Sequence, residues 1–89
     1  MFLLIMYDIS DTKVRNKVEK LLSSFGYSVN YSVFEIDITK SKFKYICGKL
    51  IKLTSKNDNI RIYILNKDVI KNSFTLHQKD IFEQKELYF

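Results

Sequence analysis

The first residue of this sequence that could do chemistry is an aspartate at the end of an apolar run. Asp8 closes the stretch FLLIMYD. Ligands of open α/β sheets collect beyond the carboxyl ends of strands, so a carboxylate there could hold a divalent cation. One carboxylate is too few, because Mg²⁺ takes about six oxygen ligands. A two-fold dimer would bring a second Asp8 to the same axis. The structural alternative is an aspartate that caps a turn.

Three further carboxylates could join such a site, and each has a structural alternative. Asp11 is close to Asp8 in the chain, but its position before a helical pattern also suits an N-cap, which we favour. Glu35 and Asp37 share one face of a predicted strand and could supply a second carboxylate pair. Solvent exposure of that face is the simpler interpretation of the pair.

Histidine, cysteine and glycine give little support to other chemistries. The one histidine, His77, is expected at the surface, and the one cysteine, Cys47, lies in an apolar helical stripe without an evident base. A single cysteine excludes an intramolecular disulfide and a CxxC zinc site, and it fits a reducing cytoplasm. Two glycines in all are too few for a glycine-rich phosphate loop.

The charge balance points to an anionic partner. Fifteen basic residues against ten acidic ones give a net charge of +5, which favours nucleic acid as the partner. Arg15 and Arg61 are the two arginines, and arginine suits bidentate phosphate contacts. Lysines on both predicted helices either meet phosphates or are simply solvated; they are Lys13, Lys17, Lys20, Lys42, Lys49, Lys52 and Lys56. Four aromatic side chains are expected in the core or as platforms for bases; they are Tyr7, Tyr31, Phe34 and Tyr63.

Strands and helices alternate along the chain. The expected elements are a strand at Phe2–Tyr7, a helix from a cap at Ser10 or Asp11 to Phe25 with Gly26 as its C-terminal cap, a β-rich stretch at Val29–Ile38, a helix capped by Thr39 or Ser41, and a strand at Ile60–Leu65. The apolar parity of the stretch 29–38 changes midway, so we expect a bulge, a bend or two short strands there. Residues 67–72 fit a loop or one helical turn, and residues 73–78 fit a strand.

This order predicts one small α+β domain over residues 1–89. Its natural arrangement is a ferredoxin-like βαββαβ sandwich, with two helices on one face of an antiparallel sheet of four or five strands. The other sheet face would stay open unless a second subunit covered it. The tail carries Ile81, Phe82 and Phe89, and such apolar residues pack on their own domain or on a neighbour. Because no apolar run approaches about 20 residues, we expect no membrane span and a cytoplasmic protein.

Four short motifs resemble one known family. YDISD follows the first strand, Arg15-Asn16-Lys17 lies in the first helix, and YSVFE and RIY follow at 31–35 and 61–63. In this order and spacing, over residues 1–66, they resemble the Cas2 family. This family comprises small CRISPR-associated proteins of spacer acquisition, which are also described as metal-dependent endonucleases.

The resemblance implies a homodimer and assigns residues to a site. The last strand of each chain, within about residues 73–89 here, would cross to the partner's sheet. Asp8 would be the catalytic metal ligand, facing the partner's equivalent aspartate across Mg²⁺ or Mn²⁺. Tyr7, Arg15 and Phe34 match positions implicated in the site or its nucleic-acid contacts, and Lys17 stands where many members have arginine. With Arg61, these residues are the expected nucleic-acid contacts.

The resulting expectation is a CRISPR adaptation subunit. It would bind duplex DNA together with the Cas integrase, and it would hydrolyse phosphodiester bonds of single-stranded RNA or duplex DNA with a divalent metal. One alternative is a DNA-binding scaffold without catalysis. Another is a toxin-type ribonuclease of the same fold, and a third is a small-molecule-sensing regulatory domain, against which the YSVFE motif and the basic charge argue.

Overall fold

The computed structural model describes residues 1–77, and residues 78–89 lie outside the described part. The elements are β1 (Phe2–Asp8), α1 (Thr12–Ser23), β2 (Gly26–Asn30), β3 (Val33–Asp37), α2 (Lys40–Leu53), β4 (Asn59–Leu65) and α3 (Lys67–Lys71). The predicted βαββαβ order is confirmed, and a short third helix follows it. The protein has the expected α+β, ferredoxin-like architecture.

The first strand lies inside the sheet, which explains its apolar sequence. The strand order is β2-β3-β1-β4, and each neighbouring pair is antiparallel. Leu3 pairs with Ile36 on one side and Ile64 on the other. At the carboxyl end of β1, the register places Asp8 opposite Asn59.

Helices α1 and α2 cover one face of this sheet and form the main core with it. Alternate residues of β1 point toward them, because successive side chains of a strand face opposite sides. Each helix contributes two buried residues spaced by four, which lie on one helical face. The buried members of this core include Leu3, Ile5, Val18, Leu22, Ile46 and Leu50.

Side-chain caps decide where the helices begin. The carboxylate of Asp11 accepts a hydrogen bond from the backbone N–H of Val14 at 3.0 Å, which settles the alternative between Ser10 and Asp11. The hydroxyl of Thr39 accepts one from the N–H of Lys42 at 3.3 Å, so Thr39 and not Ser41 is the cap of α2. Each cap satisfies one of the first N–H groups, which have no partner within the helix.

The parity change in the stretch 29–38 comes from two strands and a bulge. β2 and β3 form a hairpin whose register shifts between Ser28 and Asn30. Ser32, in the turn between them, has φ of 61°, a left-handed conformation that few residues other than glycine adopt. Val29 and Tyr31 lie exposed at the bulge and the turn, whereas Phe34 and Ile36 of β3 are buried. The predicted alternatives of a bulge and of two short strands are therefore both confirmed.

The prediction that Gly26 caps the first helix is wrong. α1 ends at Ser23 with Ser24 as its C-terminal cap, and Gly26 is the first residue of β2. Its role is close approach, because a Cβ atom there would overlap the carbonyl oxygen of Glu35 on the neighbouring strand. The glycine lets β2 begin tightly against β3.

The second face of the sheet is covered at one corner. Ile70 of α3 packs against Phe2 and Leu65, which pair across β1 and β4. In the described part of the predicted strand 73–78, residues 73–77 form no strand. The rest of that strand and the tail to residue 89 lie outside the described residues, so strand exchange stays a prediction. No helix within residues 1–77 is long and apolar enough to cross a membrane.

Candidate metal and nucleic-acid site

Asp8 lies exposed at the carboxyl end of the central strand, where the sequence predicts a ligand site. It lines a shallow surface pocket together with Met6, Tyr7, Asn59 and Arg61. β1 and β4 supply all five residues, because their antiparallel register brings the end of one strand to the start of the other. The pocket is open to solvent on the uncovered side of the sheet.

The donors around Asp8 within residues 1–77 are too few to complete a magnesium site. Within residues 1–77 the Asp8 carboxylate has no hydrogen-bond or salt-bridge partner, so both of its oxygens are available. Those residues contain no cluster of three aspartate, glutamate, histidine or cysteine side chains that could hold a metal ion. Asn59, opposite in the register, adds an amide oxygen. Hard oxygen donors fit Mg²⁺ or Mn²⁺, but no second carboxylate within residues 1–77 lines this pocket.

Tyr7 and Phe34 are core residues in this structure. Their side chains are 6% and 3% exposed, and their ring centroids are 6.3 Å apart. The hydroxyl of Tyr7 donates a hydrogen bond of 2.8 Å to the Glu19 carboxylate of α1. Burial raises the pKa of the Tyr7 phenol well above its ordinary range, and the bond to Glu19 raises it further. The geometry therefore favours a core role for both rings over direct stacking on bases.

Arg15 is tied to the loop that follows Asp8. Its guanidinium donates from Nη1 to the carbonyl oxygen of Ile9 at 3.1 Å and from Nη2 to the hydroxyl of Thr12 at 3.4 Å. The side chain is half-buried, so these contacts hold the loop between β1 and α1 in place. Guanidinium has five N–H donors, which leaves others for a phosphate.

The other two predicted nucleic-acid contacts are exposed cations. Arg61 lines the Asp8 pocket, and its Nη1 lies 3.4 Å from the hydroxyl of Tyr63. Lys17 is exposed on α1 and does not line that pocket. The structure thus brings Asp8 and Arg61 together, connects Arg15 through the loop, and leaves Lys17 on the helical side.

The remaining candidate carboxylates have structural partners. Asp11 is the N-cap of α1, as its alternative predicted. Glu35 accepts a hydrogen bond from the Tyr27 hydroxyl at 2.9 Å, and Asp37 lies 3.4 Å from the amino group of Met1. The two strand carboxylates belong to the end of the sheet away from Asp8, because β3 runs antiparallel to β1.

Neither Cys47 nor His77 adds a catalytic group. Cys47 is half-buried on α2, and burial raises the pKa of its thiol, which disfavours the thiolate that a nucleophile needs. His77 is exposed, as expected from the sequence.

Sequence reasoning missed Glu19 and Asn59. Glu19 is the one acidic residue in α1, and it follows Val18, which lies on the core face. A single acidic residue in a basic helix was a signal of a specific partner. Asn59 follows a polar turn, and its place opposite Asp8 depends on the strand register, which composition does not give.

A comparison with protein families gives one clear match. The family model described as CRISPR associated protein Cas2 matches residues 1–73. A Synechocystis protein named CRISPR-associated endoribonuclease Cas2 3 is 40% identical over 89 residues, which cover 98% of this chain and 90% of that relative. The Mycobacterium tuberculosis CRISPR-associated endoribonuclease Cas2 is 41% identical over 63 residues, 71% of this chain. That alignment spans 56% of the M. tuberculosis protein, little more than half of its length.

Solved structures agree with this match. The crystal structure of Streptococcus pyogenes Cas2 at pH 6.5 superposes with a TM-score of 0.74 and 32% identity, covering 85% of this chain and 99% of that chain. A chain in the structure of a partial Cas6-RT-Cas1–Cas2 complex superposes with a TM-score of 0.74 and 35% identity, covering 90% of this chain and 88% of that chain.

Proposed function

Because this chain belongs to the CRISPR associated protein Cas2 family, we propose that it acts as a homodimer in CRISPR spacer acquisition. We propose further that it is a metal-dependent endonuclease that hydrolyses phosphodiester bonds. Relatives named endoribonucleases favour RNA as the substrate to be cut, and we propose single-stranded RNA. Duplex DNA is the nucleic acid that the adaptation role requires it to bind.

The observation that carries the proposal is the position and freedom of Asp8. The carboxylate is exposed at the end of a buried central strand, beside Arg61, and within residues 1–77 it forms no hydrogen bond or salt bridge. An aspartate that served only as a turn cap would accept a hydrogen bond from a nearby backbone N–H, as Asp11 does from Val14. An anionic group without a partner, next to a cation, suits recruitment of a metal ion and a phosphate.

Each residue of the site has a role that its contacts support. Asp8, paired with the same residue of a second copy, would be the metal ligand and the catalytic residue. Arg61 would bind a phosphate at the pocket, and Arg15 would do so while it holds the loop after Asp8. Lys17 would extend the phosphate surface along α1. Tyr7 and Phe34 would support the end of β1 by packing in the core. For both rings, this core role is favoured over direct contact with nucleic acid.

When bound, Mg²⁺ or Mn²⁺ would polarise the scissile phosphate and lower the pKa of a coordinated water. Within residues 1–77, the pocket around Asp8 contains no histidine or second carboxylate that could act as a base. The protein itself would position the reacting groups. Asp8 would do so from the strand end, and the guanidinium groups of Arg15 and Arg61 would bind phosphate oxygens with fixed geometry.

The partners that we propose are a second copy of this chain and the Cas integrase. The sheet face opposite α1 and α2 is covered at one corner by α3, and Tyr63 on it is 43% exposed, so this face is where a second copy would pack. The similarity to a chain of a Cas1–Cas2 complex supports the integrase as the other partner.

A nuclease assay with two matched variants tests the catalytic proposal. Purified wild type, Asp8→Asn and Asp11→Asn are incubated with single-stranded RNA or duplex DNA, with Mg²⁺ or Mn²⁺ and with EDTA. Cleavage that needs metal, survives in Asp11→Asn and is lost in Asp8→Asn supports the proposal. Asp11→Asn is the control because an asparagine still caps the helix while one negative charge is removed. Cleavage that survives in Asp8→Asn contradicts it.

A scaffold without catalysis is the second candidate function. It is favoured by the shortage of ligands, because the pocket contains one carboxylate, that of Asp8, and residues 1–77 form no metal cluster. A scaffold would bind duplex DNA and the integrase equally well as wild type and as Asp8→Asn, and neither protein would cut either substrate.

A further inference from the structure

Helix α2 carries positive charge without any acidic residue, and the turn after it adds Lys56 before the next acidic residue, Asp58. Between Ile38 and Asn57 the sequence has six lysines and no aspartate or glutamate. All six are exposed, and they are Lys40, Lys42, Lys44, Lys49, Lys52 and Lys56. A lysine face that is merely solvated usually includes glutamates at a spacing of four, which pair with the lysines. α2 has none.

This arrangement makes the isolated helix less stable than it could be. Lys40 and Lys44 are one turn apart, where like charges repel. The first turn of α2 contains Lys40 and Lys42 and no acidic residue, although the helix dipole favours negative charge there. Within the described residues, none of these lysines has a salt bridge. A polyanion along the helix would remove both penalties at once.

The lysines of one side form a straight line with a tyrosine in it. Lys42, Tyr45, Lys49 and Lys52 succeed one another at spacings of three, four and three residues, so they share one helical face about 15 Å long. Lys56 follows in the turn after the helix. We call these five residues the α2 lysine stripe. Its tyrosine ring is 52% exposed and is held 6.0 Å from the ring of Phe25, with the Nζ atom of Lys49 5.9 Å from its centroid.

One end of the stripe lies at the same end of the sheet as Asp8. The turn that contains Lys56 leads directly into Asn59, and Asn59 pairs with Asp8. The stripe then runs back along the helical side of the sheet. It is therefore a surface separate from the pocket, but a long polymer could touch both.

We propose that the α2 lysine stripe binds the phosphate backbone of duplex DNA. This inference rests on the proposed function and adds the surface that holds the duplex. Lysines are point charges that contact phosphates without reading bases, so the binding would be independent of sequence. A surface for single strands uses several aromatic rings for stacking, and the stripe has one. A surface for an acidic protein would surround apolar anchors, and the charged groups here lie in a single line instead.

Two double variants with equal charge test the proposal. Lys49→Gln/Lys52→Gln removes two of the four lysines of the stripe, and Lys67→Gln/Lys71→Gln removes both lysines of α3, which packs on the opposite face of the sheet. Binding of full-length protein to a labelled mixed-sequence duplex is measured by fluorescence anisotropy in EDTA, at salt from about 50 to about 200 mM. EDTA prevents metal-dependent cutting, so binding is measured independently of catalysis. A thermal melt checks that each variant is folded.

The stripe variant is expected to lose affinity about tenfold at about 100 mM salt, with a slope of log K against log salt about 1.8 smaller than wild type. The α3 variant is expected to keep the wild-type slope and affinity. Equal losses in both variants would mean that net charge alone matters, and that result overturns the proposal. Unchanged duplex binding in the stripe variant also overturns it and favours an acidic protein as the partner of α2.

Failure of this inference and failure of the proposed function are distinguishable. Wild type that does not bind duplex at all overturns the stripe proposal, while cleavage of RNA that depends on Asp8 would still support the nuclease. Wild type that binds through the stripe but cuts nothing supports the stripe and the scaffold function.

Discussion

At the scale of single residues, the hydrogen bond between Tyr7 and Glu19 connects the end of the central strand to the first helix. It joins the residue before Asp8 to the middle of α1 at 2.8 Å. A buried hydroxyl that donates to a carboxylate forms one of the stronger kinds of neutral–charged bond. Together with the contact of Arg15 to the Ile9 carbonyl, it ties the residues on both sides of Asp8 to α1.

The raised pKa of Tyr7 predicts a specific loss of stability at high pH. The unfolded phenol ionises at about its ordinary pKa of 10.0, whereas the folded one stays protonated. Its contribution is complete below pH 10 and is lost as the pH rises above that value, because the unfolded state then binds fewer protons. From pH 9 to 11 the free energy of unfolding should fall by about 1 kcal/mol more in wild type than in Tyr7→Phe.

Urea denaturation at both pH values measures this difference. Lysines also titrate in this range, so the comparison between wild type and variant isolates the tyrosine. Tyr63→Phe is the matched control, because the same hydroxyl is removed from an exposed side chain. Parallel pH profiles of wild type and Tyr7→Phe would show that the phenol is not protected in the folded protein.

The exposed position of Asp8 was the residue-scale feature that the sequence predicted best. Its place after an apolar run, followed by capping residues, predicts exposure at a strand end, and the structure shows that exposure. The partners of Tyr7 and Arg15 were not predictable, because they depend on how α1 rotates over the sheet.

At the scale of elements, the two glycines have opposite environments and give opposite predictions. A Cβ atom at Gly26 would overlap the Glu35 carbonyl oxygen, whereas one at Gly48 on α2 would meet nothing within 4 Å. Gly26→Ala should lower the free energy of unfolding by about 1–3 kcal/mol, because the hairpin backbone has to shift. Gly48→Ala should raise it by about 0.5–1 kcal/mol, because alanine restricts the unfolded chain and favours the helix. Chemical denaturation of the two variants measures both changes in the free energy of unfolding. A Gly26→Ala variant as stable as wild type would refute the close approach of β2 to the Glu35 carbonyl.

The first turn of α2 gives a second prediction at this scale. Lys42 is the third residue after the Thr39 cap, and a glutamate there completes a capping box with the threonine. Lys42→Glu should therefore stabilise the free protein by about 0.5 kcal/mol or more, since it also removes a cation from the positive end of the helix dipole. The melting temperature measures this gain. Lys44→Glu, two residues beyond the box, is the control and should gain less.

The same change should weaken binding to duplex DNA if α2 binds phosphates. A variant that is more stable and also binds duplex as tightly as wild type would mean that the acid-free sequence of α2 has no role in binding.

Elements were predictable where a periodic pattern was long. Both main helices, their caps and the edge strand β4 follow from apolar spacing and from polar residues at the starts. The end of α1 was not predictable from Gly26, because a glycine that allows close packing of strands looks the same in the sequence as one that ends a helix. α3 was left open between a loop and a turn, since five residues are too few for a pattern.

At the scale of the whole molecule, the uncovered sheet face predicts a dimer that one substitution disrupts. Leu4 lies on that face between Glu35 and Tyr63, which pair with it across β1. Leu4→Glu would place a charge next to Glu35 and should weaken the dimer about 100-fold or more while the monomer stays folded. Analytical ultracentrifugation at micromolar concentration measures the change.

A matched variant on the helical side controls for added charge. Ile51→Glu on α2 is at a 76% exposed position and should leave the dimer intact. Leu4→Glu that remains as dimeric as wild type would show that the second copy packs elsewhere.

Assembly was the least predictable level. The apolar tail and the open face suggest a partner, but which surfaces meet depends on a second chain and on residues 78–89, outside the described part. The predictions of a homodimer and of strand exchange came from the family resemblance and not from the pattern of residues.

The stoichiometry of metal binding tests the central claim most directly, that two Asp8 carboxylates share one divalent ion across the dimer. Isothermal titration of Mn²⁺ into the wild-type dimer should give one ion per two chains, and Asp8→Asn should abolish the binding, whereas Asp11→Asn should retain it. One ion per chain, or binding that survives in Asp8→Asn, would contradict the shared site.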